Sequence, residues 1–222
     1  FYPGRPKGYL TERIADAHNS IVGAVADLEI TLHSGGNICY LGETIFTATD
    51  DKAGFELARA MGTDWEIILD TPRSTGSPMA AMLEQGKCAI TVELGGVAET
   101  MPGALRRNVD VLKRSFTNVC RHYDMLEGDA EYAPGCWRGR QSVVQASKSG
   151  VLDPNPDIPL KKPIKKGDYL MRINDFYGEP LEELHAPCDG ILFGFRTYPC
   201  VTTGDWTLFC GAAAYETIEQ PS

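Results

Sequence analysis

The sequence contains no Cys-x-x-Cys pair, no apolar run long enough to span a bilayer and no extended basic cluster. The first absence excludes zinc ribbons and thioredoxin-type redox motifs, although seven cysteines are present. Their odd number and scattered spacing point to a reducing compartment, hence the cytoplasm. Cys88, Cys120 and Cys210 lie in apolar sequence and read as small core residues. The second absence excludes a transmembrane helix, and no signal peptide is visible. The third, with a net charge of −9 and a pI of about 4.9, argues against nucleic acid and anionic membranes as partners. The local basic run Lys161-Lys162-Pro163-Ile164-Lys165-Lys166 is broken by proline and reads as a solvated turn. Position 1 carries no methionine: the chain opens Phe1-Tyr2-Pro3-Gly4, and a processed or incomplete N-terminus is the expectation.

What is present is an ordinary globular composition, 43% hydrophobic and 23% charged over 222 residues. That length holds one sizeable core, or one medium and one small domain. The first part alternates helix and strand. Helical spacing of Ile14, Ala17, Ile21, Val25 and Leu28, with Thr11 as cap, predicts a helix over 11–28. A strand is predicted over 28–33. A helix follows between Asp50 and Met61, stopped by Gly62, then a strand from Trp65 to Leu69. A short helix is predicted from Pro78 to Gln85 and a strand over Ile90–Leu94. Pro102 opens the longest helix, with the stripe Leu105, Val109, Leu112, Phe116, Val119 and Tyr123. This alternation is that of a sheet with helices on its faces.

The alternation stops near residue 126. Glu127 to Arg140 reads as a linker or crossing segment, and from Gln141 onward only short β runs with Gly and Pro turns remain. The expected division is an α/β domain over 1–134 and a small all-β domain over 135–222. Within the latter, Gly167-Asp168, Ala186-Pro187-Cys188-Asp189-Gly190 and Thr203-Gly204-Asp205 resemble the turns of a biotinyl/lipoyl-type barrel sandwich. A carrier needs a lysine at the hairpin tip, and Asn174-Asp175-Phe176-Tyr177-Gly178 has none. The expected role is therefore a scaffold that walls a pocket or joins copies of the chain, and a homo-oligomer is expected.

Two apolar runs in the α/β part end alike. Residues 29–36 read Glu-Ile-Thr-Leu-His-Ser-Gly-Gly, and residues 89–96 read Ala-Ile-Thr-Val-Glu-Leu-Gly-Gly. Each places one titratable side chain just before a Gly-Gly break, where strands of an α/β sheet end and ligands bind. A lone histidine is more often a hydrogen-bonded core or surface residue than a ligand, and a strand-end glutamate is usually solvated. Here the recurrence of one setting, and the apolar neighbours of Glu93, single out His33 as a metal ligand and Glu93 as a general base. Burial would raise the carboxyl toward the range useful for proton transfer at neutral pH.

With those residues in view, the chain resembles the succinylglutamate desuccinylase/aspartoacylase family of zinc-dependent deacylases, relatives of the zinc carboxypeptidases. Phe1-Tyr2-Pro3-Gly4 and Thr11-Glu12-Arg13-Ile14-Ala15 are similar to its "Phe-Pro-Gly … Thr-Glu-x-Ile-Ala" segment. Leu32-His33-Ser34-Gly35-Gly36 is similar to its "Asp-x-His-Ser/Thr-Gly-Gly", and Thr91-Val92-Glu93-Leu94-Gly95-Gly96 to the segment carrying its general base. The resemblance implies a zinc-carboxypeptidase-like mixed sheet with flanking helices, its N-terminal part missing, followed by the barrel-sandwich domain. It also implies one Zn2+ per chain and hydrolysis of the amide of a small N-acyl amino acid or similar amine. His33 would be one zinc ligand and Glu93 the general acid/base. The branch it looks closest to acts on N-acetyl-diaminobutyrate. Arg73, in the polar loop Asp70–Gly76, is a candidate for holding a substrate carboxylate, as the family's arginine does, though an ordinary solvated arginine fits the same spacing.

The chain departs from the family twice. Thr31 stands where an aspartate usually precedes the histidine by two residues. The family's His-x-x-Glu ligand pair is absent, because Ile21, Gly36, Met125 and Cys188 lie three places after the four histidines, and the Asn-Arg substrate clamp is absent too. A zinc site needs about three protein ligands, so the further ligands are expected upstream of Phe1. A non-catalytic binding or regulatory member of the same fold is the alternative.

Overall fold

A computed structural model describes residues 1–72, 76–97 and 102–218. In the α/β part the elements run α1 (Leu10–Val25), β1 (Leu28–His33), β2 (Cys39–Ala48), α2 (Lys52–Ala60), β3 (Ile67–Thr71), α3 (Pro78–Glu84), β4 (Cys88–Gly96) and α4 (Pro102–His122). The remaining elements are β5 (Gly135–Gln145), β6 (Gly150–Pro154), β7 (Pro163–Ile164), β8 (Tyr169–Asn174), β9 (Pro180–His185), β10 (Gly190–Arg196), β11 (Cys200–Val201) and β12 (Trp206–Thr217). No helix among the described residues is long and apolar enough to cross a membrane.

The fold is mixed α/β, as expected. One eight-stranded sheet has the order β1-β4-β2-β3-β5-β12-β10-β7, and an additional β2–β10 pairing closes β2, β3, β5, β12 and β10 into a barrel-like ring. Its interior holds Leu41, Phe46, Leu69, Phe193 and Phe209. The division drawn at 134/135 falls just before β5, which pairs in parallel with β3 and along its length with β12. A second sheet, β11-β6-β8-β9, encloses Leu152, Leu170, Ile173 and Leu184 with Leu208 and Cys210.

Local chemistry sets the helix starts. Asp51 accepts the Gly54 N–H at 3.1 Å to cap α2, and Ser77 accepts the Ala80 N–H at 3.1 Å ahead of Pro78. At α1 the sequence reading needs correction: Thr11 lies inside the helix, and the Glu12 carboxylate accepts the Tyr9 N–H at 2.8 Å instead. The ten-residue β2 went unread because its apolar run is buried almost throughout, so it shows no alternation, and Gly42-Glu43 interrupts it.

Neither long helix buries the whole apolar stripe that its spacing suggests. On α4, Leu112 and Val119 of that stripe pack into the core, but Leu105, Val109, Phe116 and Tyr123 are exposed, and Val111, Ser115 and Asn118 are buried instead. Buried polar partners decide the rotation. Ser115 Oγ accepts the Trp65 indole N–H at 2.7 Å, and Asn118 donates to the carbonyls of Ala60 and Glu131 at 2.9 and 2.7 Å. Leaving those groups unpaired would cost more than exposing a few aliphatic side chains. On α1, Ile14, Ile21 and Val25 are exposed as well, and Ala15 and Gly23 are buried.

Glu43, on the inner length of β2, ties the two halves of the chain. Its buried carboxylate takes a hydrogen bond from Arg107 on α4 at 2.7 Å and another from Lys161, on the loop before β7. Burial alone would raise its pKa, but the Lys161 and Arg107 contacts outweigh that and hold it below the ordinary value. Glu43→Ala is expected to lower stability by about 2 kcal/mol at pH 7, discounted from the buried-pair range because both cations are half exposed. Denaturant unfolding at pH 7 checks this. The wild-type advantage should fade as pH falls through the carboxylate range, because Glu43 is then protonated in both states.

Candidate active site

The strand register assembles three polar side chains into one row. β1 pairs with β4 in parallel, with His33 opposite Glu93, and β2 pairs with β4 antiparallel, with Thr44 opposite Glu93. Residues paired this way project to the same face of a sheet. His33, Glu93 and Thr44 therefore lie side by side. Val92 and Leu94 project to the other face, into the core with Ile45 and Leu57.

Glu93 has the chemistry of a proton-transfer group. Its Oε2 is closed to solvent and has no hydrogen-bond partner among the described residues. Burial pushes its pKa up to about 7. Thr44 is fully buried, and its hydroxyl likewise has no partner among the described residues. His33 ends β1 and is exposed. Thr44 was missed by sequence reading because β2 was missed. Its signal exists only in the pairing register.

The two Gly-Gly pairs do not do the same thing, contrary to the sequence reading. Only Gly35-Gly36 follows a strand exit, whereas Gly95-Gly96 belongs to β4, which continues opposite Tyr40 and Leu41. The pairs instead let the loop after His33 pass against β4. The Gly35 N–H donates to the Gly95 carbonyl at 3.1 Å. A Cβ on Gly35 would stand 2.2 Å from the Cys39 carbonyl oxygen, and one on Gly96, at φ +144°, would stand 2.1 Å from the same atom. The glycines thus fix the spacing between the His33 loop and the Glu93 strand.

The other candidates fare unequally. Thr31 donates its hydroxyl to Glu29 at 3.2 Å, so a carboxylate is present on this strand but four residues before His33. Arg73 lies outside the described residues. His122 Nδ1 lies 2.8 Å from the Tyr132 hydroxyl, and His185 Nδ1 lies 3.0 Å from the Gly167 carbonyl. His18 packs edge-on to Tyr2. Among the described residues no three His, Cys, Asp or Glu side chains gather at metal-ligand spacing. The row offers His33 and Glu93, and with Glu93 read as the base only His33 is left as a ligand, so the described residues do not by themselves complete a zinc site. The tip at 174–178 places Phe176 and Tyr177 in solvent on a turn held by the Asp175 carboxylate.

Clefts that His33, Thr44 and Glu93 do not line lie elsewhere. One of about 380 Å³ is lined by Gly62, Asp64, Lys113 and Arg121, and one of about 410 Å³ by Glu43, Glu66 and Lys161. Part of their charge is paired internally, as in the two-point Arg114–Asp64 pair at 3.0 Å and the Arg107–Glu43 and Lys161–Glu43 pairs. A carboxyl with no partner and a raised pKa is the better mark of chemistry.

No family model matches the chain. It is 26% identical over 216 residues to the N-alpha-acetyl-L-2,4-diaminobutyric acid deacetylase of Halomonas elongata, a match covering 92% of this chain and 61% of the relative. The product-bound structure of the ectoine utilization protein EutE (DoeB) from Ruegeria pomeroyi superposes with a TM-score of 0.81 at 26% identity, covering 95% of this chain and 65% of that one. A succinylglutamate desuccinylase from Silicibacter sp. TM1040 gives 0.79 at 25% identity, covering 96% and 66%. The chain thus spans about three-fifths of the length of the curated relative. These homologues bear the names of the family that the sequence motifs resemble, and they are deacylases.

Proposed function

We propose that the chain is part of a zinc-dependent hydrolase that cleaves the amide of an N-acyl amino acid or similar N-acyl amine with water. The observation that carries this reading is the half-buried Glu93, without a hydrogen-bond partner at Oε2 among the described residues and poised near pH 7, beside His33. With a pKa of about 7 the carboxyl is both acid and base at neutral pH. It would take a proton from the attacking water as the O–C bond forms at the carbonyl. It would return that proton to the amine nitrogen as the C–N bond breaks. His33 would be one zinc ligand, joined by ligands that the described residues do not supply. When bound, zinc would polarise the carbonyl and make water acidic enough to attack at neutral pH.

The relatives' names direct the assay: N-acetyl-diaminobutyrate, N-succinylglutamate and N-acetylaspartate, with free amine measured on the complete gene product. Turnover of at least one is expected, with about one zinc per chain. Chelation should reduce the rate more than about tenfold, with recovery on adding zinc. Unchanged turnover after verified metal removal contradicts the zinc dependence. One observation favours a second reading, a non-catalytic binding protein: Thr31 replaces the expected aspartate and turns its hydroxyl to Glu29. That reading predicts ligand binding without amine release and without stoichiometric zinc.

A further inference from the structure

Thr44 and Glu93 are directly opposed across an antiparallel pair, and each ends in a buried oxygen with no hydrogen-bond partner among the described residues. A single orphaned hydroxyl in a core is an anomaly, because buried polar groups are nearly always paired. Two on opposed residues of one face share an explanation. Side chains so placed have Cβ atoms about 5 Å apart. No direct hydrogen bond joins these two oxygens, so each needs a third polar group as a partner, and one group placed between opposed side chains could serve both. Leu41 and Phe46, before and after Thr44 on β2, are buried and apolar, so the hydroxyl has no competing partner on its own strand face.

We infer that Thr44 is a positioning residue whose hydroxyl, together with the Glu93 carboxyl, holds and orients the water molecule that Glu93 deprotonates. The inference rests on the hydrolase reading of Glu93. A threonine hydroxyl both donates and accepts. It can therefore accept one O–H of that water while Glu93 accepts the other, which leaves the oxygen lone pairs free for the carbonyl carbon. Valine at this position would keep the shape and the β-branched fit to the strand while removing the hydroxyl. Serine would keep the hydroxyl.

The test uses Thr44→Val and Thr44→Ser in the complete gene product, with turnover, KM and thermal midpoint measured together. Thr44→Val is expected to lower kcat by about ten- to a hundredfold, with KM within about twofold. Thr44→Ser should restore most of kcat. The thermal midpoint of Thr44→Val should stay close to or above that of the wild type, because valine keeps the shape and removes from the core a polar group that no protein atom pairs among the described residues. Unchanged kcat in Thr44→Val overturns the inference, as does a loss that tracks a fallen midpoint and is not rescued by serine. A crystal structure resolving ordered water supplies a readout independent of turnover: density within hydrogen-bond reach of both oxygens supports the inference, and its absence overturns it. Full activity of Glu93→Gln would instead overturn the hydrolase reading, so the two failures are distinguishable.

Discussion

Glu93→Gln in the complete protein is expected to lower turnover by about 10²–10⁴-fold, the usual contribution of a general acid/base, with zinc content and fold retained. Glutamine keeps the side chain's size and a hydrogen-bonding oxygen but neither accepts nor releases a proton in this pH range. The same variant gives a stability signature. Burial raises the Glu93 carboxyl from its ordinary 4.5 to about 7 in the folded protein. The folded state therefore holds the proton more tightly than the unfolded chain, so this group's contribution is fully present below pH 4.5, is lost as pH rises toward 7, and stays constant above. Relative to the wild type, Glu93→Gln should gain stability between pH 5 and 8, on the order of 2 kcal/mol after allowing for the half-exposed setting. Urea unfolding at the two pH values checks the sign. Equal pH dependence in both proteins contradicts a buried, raised carboxyl.

Gly96→Ala is expected to be the most damaging single-methyl change near the site. The added Cβ would stand 2.1 Å from the Cys39 carbonyl oxygen and 3.0 Å from Gly35 Cα, and both are backbone atoms. They cannot rotate away as a side chain can. The φ of +144° adds strain for any L residue. A loss of about 3 kcal/mol is expected, read as a lowered denaturation midpoint. Because the contact includes Gly35, two residues after His33, relief of the clash also moves the His33 loop off β4. Turnover of the folded fraction should fall with it. Gly36→Ala is the control for mere loop sensitivity: its φ of +65° is strained, but an added Cβ meets nothing within 4 Å. Its effect should be clearly smaller.

The candidate site was legible in the sequence to the extent that it lay in local patterns. Glu93 stood out because aliphatic residues surround it, and the structure places it in the buried setting those neighbours imply. His33 was marked by the same pattern, and the parallel register brings it beside Glu93. Thr44 was not legible, because antiparallel pairing between β2 and β4 is a long-range fact that no local window contains. The inward face of α1, and that of α4 in part, departed from the apolar stripe for a related reason. Apolar spacing indicates a stripe, but on α4 the needs of the Trp65 indole and the Ala60 carbonyl select Ser115 and Asn118 for burial. Both glycine pairs were read as strand ends, a role that held only for Gly35-Gly36. The continuation of β4 through Gly96 depends on Tyr40 and Leu41, which sequence reading had not assigned to a strand.

The most direct measurement is a product-bound crystal structure of the complete protein. The His33–Glu93–Thr44 row predicts the product amine within about 3 Å of the Glu93 carboxyl, on the face that carries Thr44. Product density in the charged cleft lined by Glu43, Glu66 and Lys161, with Glu93 untouched, would contradict that account.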